Sequence, residues 1–99
     1  MTHVRIWRFR PAPGCEQEFA AAYAGDGPWA RLFRQAPGFI GASLLAPDRA
    51  GGLWLTLERW QSQAAFERFQ DEHGATYRAL DLELERLTVD ELFIGAFEE

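Results

Sequence analysis

The stretch Leu53 to Phe66, LWLTLERWQSQAAF, constrains the fold more than any other part of the chain. Its first half alternates with a period of two. Leu53, Leu55 and Leu57 fall on one side, and Trp54, Thr56, Glu58 and Trp60 on the other. Side chains of a strand point alternately to the two faces of its sheet, so this half reads as a strand. Neither side is simply polar, so both faces are expected to be covered. After Trp60 the period changes. Ser62 is a residue that caps helices, and Phe66, Phe69, His73, Tyr77, Leu80 and Leu84 recur every three or four positions. A strand covered on both faces and running straight into a long amphipathic helix is the centre of a small α+β domain. Buried chemistry is expected between the Trp/Thr/Glu side of that strand and a helix.

The flanking segments supply the rest of the sheet. His3 to Arg10 alternates, with Val4 and Ile6 on one side and His3, Arg5, Trp7 and Phe9 on the other, and Pro11, Pro13 and Gly14 end it. Glu16 to Tyr23 has helical spacing, with carboxylates in the first turn, where the helix dipole favours them. Gly25-Asp26-Gly27 breaks that helix, and Pro28 starts another carrying Trp29, Leu32 and Phe33. Phe39 to Leu45 is a second strand, joined to the third by a loop framed by Pro47-Asp48 and Gly51-Gly52. Gly74 predicts a bend or break in the long helix, dividing it into about Ser62–Glu72 and Ala75–Arg86. Thr88 to Phe97 reads as the fourth strand, Glu91 among its residues and available to reach toward a partner subunit.

The order is therefore βαββαβ. Right-handed crossovers turn it into a ferredoxin-like, four-stranded antiparallel sheet, with strands one and three central and the helices on one face. The 99 residues allow a single domain, 1–99. The face away from the helices would carry Val4, Ile6, Leu53, Leu55 and Leu57, an apolar patch of the kind that marks an interaction surface. Two such sheets packed face to face would bury it, so a homodimer is expected.

Charge and composition exclude several functions. Hydrophobic residues make up 47% and charged residues 25%, a globular balance. The net charge is −5, and the ten basic residues are all Arg and scattered. Nucleic-acid binding, which needs clustered cations, is not expected. Without Lys there is neither a Schiff-base lysine nor a phosphate-loop lysine. Cys15 is the only cysteine, which leaves no intrachain disulfide. No apolar run approaches a membrane span, so a cytoplasmic protein with no membrane partner is expected. His3 and His73 lack metal-ligand spacing, and no glycine fingerprint for a dinucleotide follows a strand, so neither a metal nor a cofactor is expected.

The candidate chemistry is aromatic and polar. Trp60 is either the wall of a cavity that stacks on an aromatic substrate or a core residue fixing the helix entry. His73 interrupts an apolar stripe and either takes a proton from a phenolic substrate or sits at the exposed edge of the stripe. Tyr77, four residues on, can meet it. Tyr23 and Tyr77 could each direct an oxygen inward. Arg5 and Glu58 share the helix-facing side and must pair or reach water, as a structural ion pair or as a pocket wall.

The turn and strand P-G-F-x-G at Pro37, Gly38, Phe39 and Gly41 stands about twenty residues before a strand ending in Glu58-Arg59-Trp60. Ser62, Ala65 and Phe66 follow as S-x-x-A-F. Over nearly the whole chain this pattern resembles the antibiotic biosynthesis monooxygenase superfamily of dimeric α+β barrel proteins. The resemblance implies that fold, a homodimer, and cofactor-independent oxygenation of a small aromatic, polyketide-like substrate. Of the site residues of the quinone-forming members, Trp60 is retained, Thr56 stands where they have Asn and Phe66 where they have Tyr, and Arg78 is a possible stand-in for their Arg. The triad of the heme-degrading members falls on Trp7, Phe69 and Ala79, and the chain has no Asn, so that activity is disfavoured. The oxygenase reading makes His73, Tyr77 and Trp60 the catalytic candidates, with His73 or Tyr77 as base. Trp7, Trp54, Thr56, Phe66, Phe69, Arg5 and Glu58 would bind substrate. The other reading is a non-catalytic dimeric module that binds a small ligand or has a filled pocket.

Overall fold

The computed structural model describes residues 1–99. Its elements run β1 (His3–Pro11), α1 (Glu16–Tyr23), α2 (Pro28–Phe33), β2 (Phe39–Leu45), β3 (Trp54–Trp60), α3 (Gln63–Leu84) and β4 (Thr88–Glu98), with a short 3₁₀ turn at Glu85–Leu87 before the last strand. The strands form one antiparallel sheet in the order β2-β3-β1-β4. The helices pack on one face, giving the ferredoxin-like α+β arrangement that the alternation predicts.

Register explains why the two faces differ. On β1 and β3, His3 stands opposite Trp60, Arg5 opposite Glu58, Trp7 opposite Thr56 and Phe9 opposite Trp54. Directly opposed residues share a face, so one aromatic and polar row lies under the helices. Val4, Ile6, Leu55 and Leu57 take the other face. β4 adds Leu92, Ile94 and Phe97 there, each close to half exposed. The β1–β4 ladder shifts register between Ile6 and Trp7, which turns Phe93 under the helices beside Trp7.

The core lies between sheet and helices. Trp60, Phe69 and Phe19 are fully buried, and Trp29, Leu32, Phe33, Phe66, Leu84 and Leu87 surround them. Each such side chain contributes about 1.5–3 kcal/mol through burial. Trp60 is the hub, with ring centroids of Phe33, Phe39, Phe66 and Phe69 all between 5.1 and 5.7 Å away.

The Pro37-Gly38 turn is locked to the start of α3. Gly38 has φ +91°, and a Cβ placed there would lie 2.7 Å from the Cβ of Ala65, so only glycine fits. Its carbonyl accepts a hydrogen bond from the Gln61 amide at 2.7 Å. Ser62 caps the helix, its Oγ accepting from the Ala65 amide at 3.1 Å.

One expectation is corrected. α3 is a single unbroken helix through Gly74, not two segments, and the chain beyond Leu84 tightens into the 3₁₀ turn instead of extending the helix to Arg86. An interior glycine costs only about 1 kcal/mol in helix propensity. The buried stripe of Phe66, Phe69 and Leu84, with Tyr77 and Leu80 packed against the core, outweighs it.

Candidate functional site

The sheet and all three α-helices enclose a cavity of about 230 Å³. Its floor is the helix-facing row of the sheet, with Trp7 and Phe9 from β1 and Thr56 and Glu58 from β3. Tyr23 at the end of α1 and Trp29 and Phe33 on α2 form one wall. Tyr77 and Asp81, one turn apart on α3, form the other, and Glu91 of β4 joins them. The rings interlock. Tyr77 lies 4.9 Å from Trp29 between centroids, and Tyr23 lies 4.8 Å from Phe9.

Glu58 is the chemically distinctive group. Its Oε1 accepts a hydrogen bond from Trp60 Nε1 at 3.2 Å and lies 3.3 Å from Arg5 Nε. That Nε is angled off the hydrogen-bond line and is buried without a hydrogen-bonding partner, so the contact is an ion pair only. The guanidinium is held from both sides, its Cζ 3.7 Å from the Phe66 ring centroid and 4.5 Å from that of Phe93. Neither contact engages the second carboxylate oxygen, Oε2, and Glu58 lines the cavity. Burial pushes the Glu58 carboxyl up to about 7, and Arg5 and the Trp60 N–H draw it back only in part. A carboxylate with one oxygen open to a ligand and a pKa near neutrality is suited to general acid–base work.

The two tyrosines are suited to remain neutral donors. Burial raises Tyr77 to about 12 and pushes the Tyr23 phenol well above its usual range. Trp29, almost fully buried, turns its indole N–H toward the Tyr23 phenol without closing a well-formed hydrogen bond. No group of three His, Cys, Asp or Glu side chains converges in a metal-ligand arrangement.

Of the residues expected at a site, Trp7, Thr56, Glu58 and Tyr77 meet at this cavity. Arg5 stands behind Glu58. Trp60, Phe66 and Phe69 lie in the packed core below, not in the lining. Trp54 sits at the other end of β3, edge-on to Phe19 at 5.4 Å, beside a shallow hollow formed with the Pro47–Gly51 loop. His73 stacks on Phe69 at 5.4 Å, one helical turn before Tyr77 and outside the lining. One turn displaces a side chain by about 5 Å along the helix axis, enough to carry it past the end of the cavity. Sequence reasoning does not name Asp81, and it gives Trp29 and Phe33 only as apolar residues of α2, not as site residues. The signal for Asp81 is its i+4 spacing from Tyr77, and for Trp29 and Phe33 their i+4 spacing on α2. Glu91 lies on β4, as expected, and lines the cavity of its own chain.

No curated protein matches the chain. Among solved structures, SnoaB, a cofactor-independent oxygenase from Streptomyces nogalater, is 24% identical, with 99% of this chain and 92% of that chain aligned at a TM-score of 0.64. PA3566 from Pseudomonas aeruginosa is 20% identical, with 99% and 93% aligned and a TM-score of 0.69. Rv0793 from Mycobacterium tuberculosis is also 20% identical, with 100% and 98% aligned and a TM-score of 0.63. At these identities the likeness is one of fold. The sequence profile of the antibiotic biosynthesis monooxygenase family, however, matches residues 2–78, most of the chain. The chain belongs to the antibiotic biosynthesis monooxygenase family.

Proposed function

We propose that the protein is a cofactor-independent monooxygenase acting on a small, electron-rich aromatic carbon acid such as an anthrone or a related dihydroxyaromatic. The observation that carries this reading is the Glu58 carboxyl, with a pKa of about 7, on the wall of an aromatic cavity large enough for a small ring system. Family membership and the fold shared with SnoaB, an oxygenase that needs no cofactor, support it.

In this reading Glu58 Oε2 takes a proton from the activated carbon of the bound substrate. The carbanion adds dioxygen, and the peroxide oxygen regains the proton from Glu58. Loss of water from the hydroperoxide leaves a carbonyl, so that one methylene and one dioxygen give one carbonyl and one water. Tyr23, Tyr77 and Trp29 donate hydrogen bonds to the oxygen on which the substrate's negative charge develops. Trp7, Phe9 and Phe33 exclude water. Glu58 thus takes the role of base for which the sequence offers His73 or Tyr77. Tyr77 becomes a donor, and Trp60 positions Glu58 through its indole N–H.

Oxygen uptake with anthrone substrates tests this. Glu58→Gln should lower the rate by 100-fold or more, on the order expected for a lost general base, while His73→Ala should leave it unchanged. Wild-type rates in Glu58→Gln, or no oxygen uptake with any such substrate, would sink the reading and leave a ligand-binding module.

The functional unit in this proposal is a homodimer of the single domain 1–99, formed by pairing the helix-free sheet faces. The apolar row of Ile6, Leu55 and Leu57, extended by Leu92, Ile94 and Phe97, supports it. No helix is long and apolar enough to cross a membrane. The single free Cys15 suits a reducing, cytoplasmic setting.

A further inference from the structure

We infer that the cavity selects an organic cation, specifically a phenolic amine whose ammonium group sits at the mouth between Asp81 and Glu91 while its ring lies among Tyr23, Trp29 and Tyr77. The inference adds a charge to the substrate proposed above. It shares the site of that reading and does not depend on turnover.

The first observation is the charge of the lining. Glu58, Asp81 and Glu91 all border the cavity, and no Arg, Lys or His does. Asp81 and Glu91 come from different elements, α3 and β4, so their meeting is a product of tertiary structure. Neither is in an ion pair. Arg5 is committed to Glu58 behind the wall, and Arg8, opposite Leu55 and Leu92, lies on the other face of the sheet. Burial, and then the charge of Asp81, lift the Glu91 carboxyl above its usual range, and a bound cation would relieve that repulsion.

The second observation is the aromatic lining. Rings of Tyr23, Trp29 and Tyr77 enclose one end of the cavity and give the ligand's aromatic ring a place to stack. Aromatic walls alone would accept any flat apolar ligand. Joined to two unpaired carboxylates, they favour a positive one. The third observation concerns the polar edge of one of these rings. Trp29 is 7% exposed and lines the cavity, and its Nε1–H, turned toward the Tyr23 phenol, closes no well-formed hydrogen bond. A buried donor calls for an acceptor, and the phenolic oxygen of the ligand supplies it.

Three probes of similar size separate these features, namely tyramine, 4-ethylphenol and 3-(4-hydroxyphenyl)propionate, measured by calorimetry at low salt and pH 7.5. Tyramine should bind about tenfold more tightly than the neutral phenol, and the propionate more weakly than either, a difference within reach of two partly screened charges. Added salt should narrow the gap between tyramine and 4-ethylphenol. In the double variant Asp81→Asn, Glu91→Gln the two should bind equally. Should that variant not fold, the single Asp81→Asn, at an exposed position, reads the same preference. Absence of tyramine binding, neutral or anionic probes binding as tightly, or a preference unchanged in these variants would overturn the inference. Oxygen uptake is a separate readout. A cation preference without turnover would sink the proposed reaction alone, and turnover without the preference would sink only this inference.

Discussion

Arg5 and Glu58 face each other directly across β1 and β3, with Nε 3.3 Å from Oε1 and side chains only 17% and 12% exposed. Buried charges cost several kcal/mol each to desolvate, and attraction offsets this only when the partner is in place. Arg5→Met should therefore raise the Glu58 pKa further above 7. At pH 8 the variant should be less stable by about 2–3 kcal/mol, because its Glu58 must either stay charged without a partner or take up a proton. At pH 5.5 the loss should be smaller, since Glu58 is already neutral. Urea melts at the two pH values check this, and equal losses at both would refute the coupling.

The same carboxyl makes stability depend on pH with a sign opposite to that of an ordinary surface carboxylate. Its folded pKa is about 7 against 4.5 for the free group, so between those values the native state binds more protons than the unfolded one. Stability from this group is complete below about pH 4.5 and falls as pH rises toward 7, by about 3 kcal/mol in all. Other carboxylates contribute their own slopes, so the comparison is wild type against Glu58→Gln. The difference between the two melts should change across pH 4.5 to 7 and be flat above. For catalysis the sign reverses, because the base must be ionised, and the oxygenation rate should rise through pH 7.

How much of this was legible depends on the distance over which each residue acts. The alternation of β3 placed Thr56, Glu58 and Trp60 on one face, and the same count on β1 placed Arg5 and Trp7 beside them, because strand periodicity is local. The ion pair follows from that parity plus strand adjacency, which the crossover rule supplies. The far wall was not legible. Trp29, Asp81 and Glu91 meet Glu58 only after three separate elements dock, and no spacing in the chain encodes that meeting. Gly74 misled for a different reason. It is a weak local signal, and the packing of α3 against the core overrode it.

Gly74 therefore offers a direct test of helix continuity. A Cβ there would meet only the far end of the Arg78 side chain, at 3.3 Å, which can move aside. Gly74→Ala should raise stability by about 0.5–1 kcal/mol through reduced entropy of the unfolded chain and better helix propensity. Gly38→Ala should do the opposite, since φ is positive and the new Cβ would collide with Ala65. Thermal denaturation of the two variants checks both. Destabilisation by Gly74→Ala would mean that the helix bends there in solution.

The helix-free face of the sheet gives the last prediction. Ile6 and Leu57 are cross-strand partners at its centre, with Leu55 and Phe97 beside them and the ion-paired Arg8 and Arg59 at the flanks. Water against such a row is unfavourable by about 25 cal/mol per Å² of apolar surface, so pairing two copies is favourable if the row is continuous. Leu57→Glu places a charge in the middle of that row, and two-fold symmetry brings two such charges together. The wild type should sediment as a dimer at micromolar concentration and Leu57→Glu as a monomer with its fold intact by circular dichroism. The reversed substitution at the helix-facing side, Thr56→Val, should leave the dimer unchanged, because Thr56 lines the cavity. A monomeric wild type would remove the dimer from the proposed functional unit without touching the cavity or the chemistry argued for Glu58.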